Sequence, residues 1–127
     1  MSFDSPKLTR PCAVFDIDGT LAEFDADTLG PLVHGVEKHW DAFHDAMATT
    51  PEIAPVARVL RHLKVGGEAI VLCSGRPEGW INRTIEWLHA NDLPFDGIYL
   101  RPDGADEMSD PEVKHALLTR MRSDGFE

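Results

Sequence analysis

Apolar positions fall into two patterns along this chain. Three short runs are apolar nearly throughout: Cys12 to Ile17, Glu68-Ala69-Ile70-Val71-Leu72-Cys73-Ser74, and Asp96-Gly97-Ile98-Tyr99-Leu100. Runs of that length without polar alternation predict strands of a parallel sheet covered on both faces. Between and after them the apolar residues recur at helical spacing. Val56, Val59, Leu60 and Leu63 predict a helix from about Ile53 to Leu63, opened at Pro51 or Glu52 and ended by Gly66-Gly67. Trp80, Ile81, Thr84, Trp87 and Leu88 predict another from about Glu78 to Ala90. A last one, Glu112 to about Arg122, is capped by Asp110-Pro111. Val36, Trp40, Phe43 and Met47 share a helical face inside an otherwise strand-poor segment.

The order β, helices, β, α, β, α predicts an α/β fold, a three-layer parallel sheet with crossover helices. At 127 residues the chain is one domain with room for a core. Residues 8–22 and 51–127 form that core, and residues 23–50 are a small helical cap insertion.

Charge narrows the partners. With 22 acids against 12 bases the formal net charge is −10, which argues against gripping extended duplex nucleic acid through its backbone. A small phosphorylated substrate, or a nucleic-acid end held in a local basic pocket, remains compatible. Cys12 and Cys73 lie in apolar runs without metal-ligand spacing and read as buried free thiols of a cytoplasmic protein. No apolar run is long enough to span a membrane. The six histidines form no metal-ligand spacing, and Trp40, Trp80 and Trp87 read as packing, with Trp40 placed to line a substrate mouth.

The chemistry gathers where the predicted strands end. Strand one runs into Asp16-Ile17-Asp18-Gly19-Thr20. If the strand continues that far, alternation puts the Asp16 and Asp18 side chains on one side. Open α/β sheets bind ligands at this mouth. Two acids followed by Gly-Thr amides that can face an anion suggest magnesium-assisted phosphoryl transfer. An Asx turn through Asp18-Gly19 is the plain structural alternative. Strand two ends in Ser74-Gly75-Arg76, offering a hydroxyl, backbone donors and a charged fork. Lys114, near the start of the last helix, reads by itself as a surface lysine.

Taken together, the Asp16-Ile17-Asp18-Gly19-Thr20-Leu21-Ala22, Ser74-Gly75-Arg76 and Asp110…Lys114 segments resemble motifs I, II and III of the haloacid dehalogenase (HAD) superfamily. Arg83-Thr84 with Trp87-Leu88, Arg101-Pro102 and Trp40-Asp41-Ala42-Phe43 make the chain similar to the phosphatase domains of bacteriophage polynucleotide kinase/3′-phosphatases and related stand-alone phage phosphatases, over about residues 12–122. That resemblance implies Mg2+ at Asp16 and Asp18, with Asp16 as the nucleophile that forms an aspartyl-phosphate. It implies Asp18 as general acid and then base, and Ser74 and Lys114 on the phosphoryl oxygens. Gly19 and Thr20 would supply loop donors, Gly75 a backbone donor, and Arg76 would touch the substrate. Asp110 would orient Lys114 or Arg76, while Arg83 and Arg101 are weaker candidates. The implied activity is phosphomonoester hydrolysis on a nucleotide or a polynucleotide 3′-phosphate end. The alternative is a catalytically weak domain that binds a phosphorylated ligand or a protein.

The superfamily's fourth motif, an apolar strand ending in aspartate, has no counterpart in the sequence. Ser123-Asp124-Gly125 reads as a helix exit turn, and the C-terminal strands of the fold are apparently absent. The first strand is therefore expected to present an uncovered edge, to be closed by a homodimer, a swapped segment or a partner chain.

Overall fold

A computed structural model describes residues 9–24, 40–105 and 107–127, without the side chains of residues 40, 41, 43 and 44. The central strand is β2 (Ala69–Pro77), flanked in parallel by β1 (Cys12–Phe15) and β3 (Gly97–Arg101). Its position follows from its composition, since Ala69 through Ser74 are all buried. Alternation along β2 then sorts the helices into layers. Ile70 and Leu72 point into a core with Leu60, Trp87 and Leu88, from α2 (Ala54–Val65) and α3 (Ile81–Ala90). Val71 and Cys73 point the other way, onto Val113, Leu117 and Met121 of α4 (Asp110–Ser123). The result is the expected three-layer α/β arrangement.

Element ends differ from expectation in instructive ways. A 3-10 turn, Glu78–Trp80, precedes α3. Helix α4 is capped by Ser109, whose Oγ accepts from the Glu112 amide at 3.3 Å, rather than by Asp110. A serine one residue earlier satisfies the first-turn amide and leaves Asp110 available elsewhere. In the insertion, α1 (Trp40–Met47) is helical, and Met47 is buried against the α2–α3 core. Val36, His34, His39 and the remainder of 25–39 lie outside the described residues, as do the side chains of Trp40 and Phe43.

The first-strand edge is not uncovered at its start. The Arg10 amide donates to the Gly125 carbonyl at 2.7 Å, Glu127 donates back to Arg10 at 2.9 Å, and Cys12 donates to Glu127 at 2.9 Å. Gly125, at φ 97°, turns the chain out of α4 and up along β1. The exit turn at 123–125 is as expected; the parallel bridge between Arg10 and Phe126 that follows it is not. Beyond Cys12 no described strand pairs with the outer edge of β1, the one away from β2, and Val14 is 42% exposed.

At the foot of the sheet, Asp96 ties three segments together. Its carboxylate accepts from Lys64 Nζ at 2.8 Å through both oxygens, from the Ile70 amide at 2.8 Å and from Arg10 at 3.3 Å. Among the described residues no helix is long and apolar enough to cross a membrane.

Candidate active site

Strand β1 stops at Phe15, so alternation does not carry through to both aspartates. Asp16 keeps the direction of Cys12 and Val14, towards the α4 layer. Its Oδ1 lies 2.8 Å from Lys114 Nζ on the first turns of α4, and it also accepts from the Ile17 amide at 2.7 Å. Asp18 turns to the opposite layer. A tight turn causes this: Thr20, Leu21 and Ala22 all donate to the Ile17 carbonyl, and Gly19, at φ 80°, donates to Ala22 at 2.8 Å. A side chain at position 19 would be strained at that φ. The same turn engages the Gly19 and Thr20 amides, so neither is aimed outward as a phosphate donor.

Arg76 is not turned to the substrate side. Its guanidinium, 4% exposed, grips Asp18 from behind, with Nε 3.0 Å from Oδ2 and Nη2 2.6 Å from Oδ1. Nη1 lies 3.3 Å from the hydroxyl of the buried Thr84, which itself donates to the Trp80 carbonyl at 3.0 Å. A bulge makes this possible. The β2–β3 register shifts between Ser74 and Pro77, inserting Gly75 and Arg76 and re-aiming the arginine. Ser74 is buried, and its Oγ accepts from the Arg76 amide at 3.1 Å. That bond leaves the hydroxyl proton available to donate.

Lys114 reaches both the Asp16 carboxylate and the Cys73 carbonyl, at 3.2 Å, and so bridges the ends of β1 and β2. Asp110 orients neither Lys114 nor Arg76. Its Oδ1 accepts from Arg101 Nη2 at 2.8 Å. Arg101 is 2% exposed and is the residue whose importance sequence reasoning understated. It also donates to the carbonyls of Gly75, Ala105 and Met108 at 3.0, 2.8 and 2.8 Å. The available signal was an arginine ending an apolar strand, where a charge is buried only if fully paired. Arg83 is exposed on α3, 3.6 Å from Asp45 of α1.

The donor set suits a lightly held magnesium. Lys114 approaches the Asp16 carboxylate at Oδ1, and the turn closes on Ile17 and Ala22 rather than on the Asp18 carbonyl. The Asp18 carboxylate itself is committed to Arg76. One carboxylate and one carbonyl fit magnesium when substrate and water fill the remaining positions. No cluster of three acids, histidines or cysteines occurs among the described residues. Asp124 is no substitute acid: it ends α4 at the opposite end of the sheet, where it accepts from the Tyr99 hydroxyl at 2.6 Å.

A family model described as the polynucleotide kinase PNKP phosphatase domain matches residues 10–127. The chain belongs to that family of HAD phosphatase domains. A chain in the structure of the Pnkp1/Rnl/Hen1 complex superposes with a TM-score of 0.67 at 24% identity, over 93% of this chain and 36% of that one. The class C acid phosphatase from Bacillus anthracis gives 0.65 at 18% identity, over 98% and 50%. At these identities the likeness establishes the fold, and the chain spans between a third and a half of either neighbour. No curated protein matches it.

Proposed function

We propose that the domain is a magnesium-dependent phosphomonoesterase that passes through an aspartyl-phosphate and acts on a nucleotide or polynucleotide 3′-phosphate end. The observation that supports this reading is the division of the two acids: Asp16 open at the sheet mouth beside Lys114, Asp18 held from behind by Arg76. An Asp16 oxygen bonds to phosphorus as the ester bond breaks, and Asp18 gives its proton to the departing alcohol oxygen. Asp18 then takes a proton from water, whose oxygen bonds to phosphorus and releases phosphate and the Asp16 carboxylate. Lys114 and the Ser74 hydroxyl neutralise phosphoryl oxygens throughout. Asp16 and the Asp18 carbonyl would hold magnesium, which when bound offsets charge on those oxygens. The phosphatase family supports the reaction class, and its PNKP description supports the polynucleotide end. Free thiols at Cys12 and Cys73 suit a reducing cytoplasm.

One observation favours the weaker alternative, a domain that chiefly binds a phosphorylated ligand or partner: no group of three acids, histidines or cysteines that could hold a metal occurs among the described residues. The open edge of β1 beyond Cys12 would then be where a further strand, from this protein or another, completes the site. Phosphate release from a nucleoside 3′-phosphate, with magnesium and with chelator, decides. Loss of at least about a thousandfold in Asp16→Asn supports the enzyme; equal residual release by wild type and variant selects the binding domain.

A further inference from the structure

The buried stripe of α3 is Thr84, Trp87 and Leu88. Trp87 and Leu88 share the core of Ile70 and Leu72, as helical spacing requires. Thr84 does not follow from packing. Valine has nearly the same shape with no hydroxyl to satisfy, and a buried hydroxyl is costly unless it is bonded. The bonds of this one run in a single direction. Thr84 Oγ1 gives its proton to the Trp80 carbonyl, 3.0 Å away and one turn back, so the oxygen meets Arg76 with lone pairs alone. Arg76 Nη1 donates to it at 3.3 Å.

That bond complements the fork on Asp18. Nε and Nη2 form one edge of the guanidinium, and both meet the carboxylate. Nη1 is the nitrogen on the opposite side, and Thr84 receives it. A carboxylate by itself lets an arginine slide and tilt together with it. A second acceptor, carried on a packed helix, ties the plane of the pair to the body of the domain. The chain makes this link short: Arg76, Trp80 and Thr84 follow at intervals of four. Only the end of β2 and the 3-10 turn Glu78–Trp80 separate the arginine from the helix that meets it.

We propose that Thr84 is a positioning residue for the proton transfer: through Arg76 it fixes Asp18, the acid assigned to the departing oxygen. The proposal rests on the phosphatase reading above and adds to it a residue of the helix layer that touches no substrate. It also divides the side chain, whose methyl group packs while its hydroxyl orients.

The test uses wild type, Thr84→Val and Thr84→Ser, each checked by a thermal melt, on thymidine 3′-monophosphate and p-nitrophenyl phosphate with magnesium. The nucleotide expels an alcohol that needs a proton, and p-nitrophenyl phosphate expels a phenolate that does not. In both cases kcat/KM reports the steps up to transfer of the phosphoryl group to Asp16. Thr84→Val is expected to lower it about tenfold on the nucleotide and less than about twofold on p-nitrophenyl phosphate. Thr84→Ser should restore most of the loss. An unchanged value on the nucleotide, an equal fall on both substrates, or a Thr84→Ser variant as poor as Thr84→Val overturns the proposal. Should wild type hydrolyse neither substrate, the phosphatase reading fails instead, and the Nε–H resonance of Arg76 in a 1H–15N spectrum still decides the hold of Thr84 on the Arg76–Asp18 pair. Wild type and Thr84→Ser should keep that proton from exchange with water at least about tenfold longer than Thr84→Val does. Equal exchange in all three proteins would show that Thr84 does not fix the pair.

Discussion

Arg76 and Asp18 meet through two parallel contacts, 3.0 and 2.6 Å long, with the arginine almost wholly buried and the aspartate at its open side. Such a fork fixes the plane of a carboxylate as well as its position. On the proposed mechanism Arg76 is thus a positioning residue for the acid assigned to the departing oxygen, and Thr84 contacts Arg76 in turn.

Arg76→Lys keeps the charge but not the fork, so Asp18 gains rotational freedom at the reacting centre. Turnover of a nucleoside 3′-phosphate should fall by about 10- to 100-fold, with KM moving much less, because a misplaced proton donor acts on the transition state. Steady-state kinetics beside a thermal melt would check this. Unchanged kcat in a well-folded variant would mean that the fork is only structural.

Arg101 carries a different weight. Its guanidinium joins the Gly75 carbonyl, the 105–108 loop and Asp110. Arg101→Met leaves three carbonyls without this donor, and its expected cost is about 1–3 kcal/mol of unfolding free energy for each that stays buried and unpaired. Urea denaturation should show the midpoint falling with an unchanged slope. Asp110→Asn, which keeps an acceptor facing Arg101 on an exposed residue, should lose far less.

The strands, the layers and the pairing of motif with strand end were legible because each rests on periodicity. Ile70 and Leu72 against Val71 and Cys73 is an alternation any reader of the sequence can count. What the two aspartates face was not legible, because it depends on where β1 ends: at Phe15 rather than beyond Asp18, and so the acids part to opposite layers. Arg76 was misdirected for a related reason. A bulge has no period, and it turned an expected substrate contact into a buried clamp. Asp110 and Arg101 lie nine residues apart on different elements, and only the folded loop brings them together. The pairing of Gly125 to Glu127 along β1 depends on a single left-handed glycine after α4.

Acid should loosen the foot of the sheet. Burial by itself raises the Asp96 pKa, but the hydrogen bonds from Lys64 and the Ile70 amide, with the charges of Lys64 and Arg10, outweigh it and hold the group below its ordinary value. A depressed carboxylate stabilises the fold fully above the unfolded pKa, near 4, and loses that contribution as pH falls through the folded value. The stability gap between wild type and Asp96→Asn, measured by urea midpoint, should therefore be constant from pH 5 to 7 and shrink below about pH 4. A gap that does not narrow on acidification would show that the carboxylate charge at Asp96 is not what holds these segments.

Cys73 offers a reporter next to the site, since its carbonyl holds Lys114 while its side chain points into the α4 core. Burial pushes the thiol up to about 11, and the nearby Lys114 charge only partly opposes that; Cys12 and Asp16 push in the same direction as burial. At pH 8 almost no thiolate exists at this position, and the thiolate is the form that alkylates. Iodoacetamide should therefore leave Cys73 of the folded protein unmodified, with the less buried Cys12 reacting first, and both should react in urea. Intact mass followed by peptide mapping gives the order. Replacing the lysine sharpens the argument: Lys114→Met removes the one charge that favours the thiolate, so alkylation of native Cys73 at pH 9–10 should become slower still. Faster alkylation in that variant would mean that Lys114 shields Cys73 by packing, through its hold on the β2 carbonyl, rather than acting on it by charge.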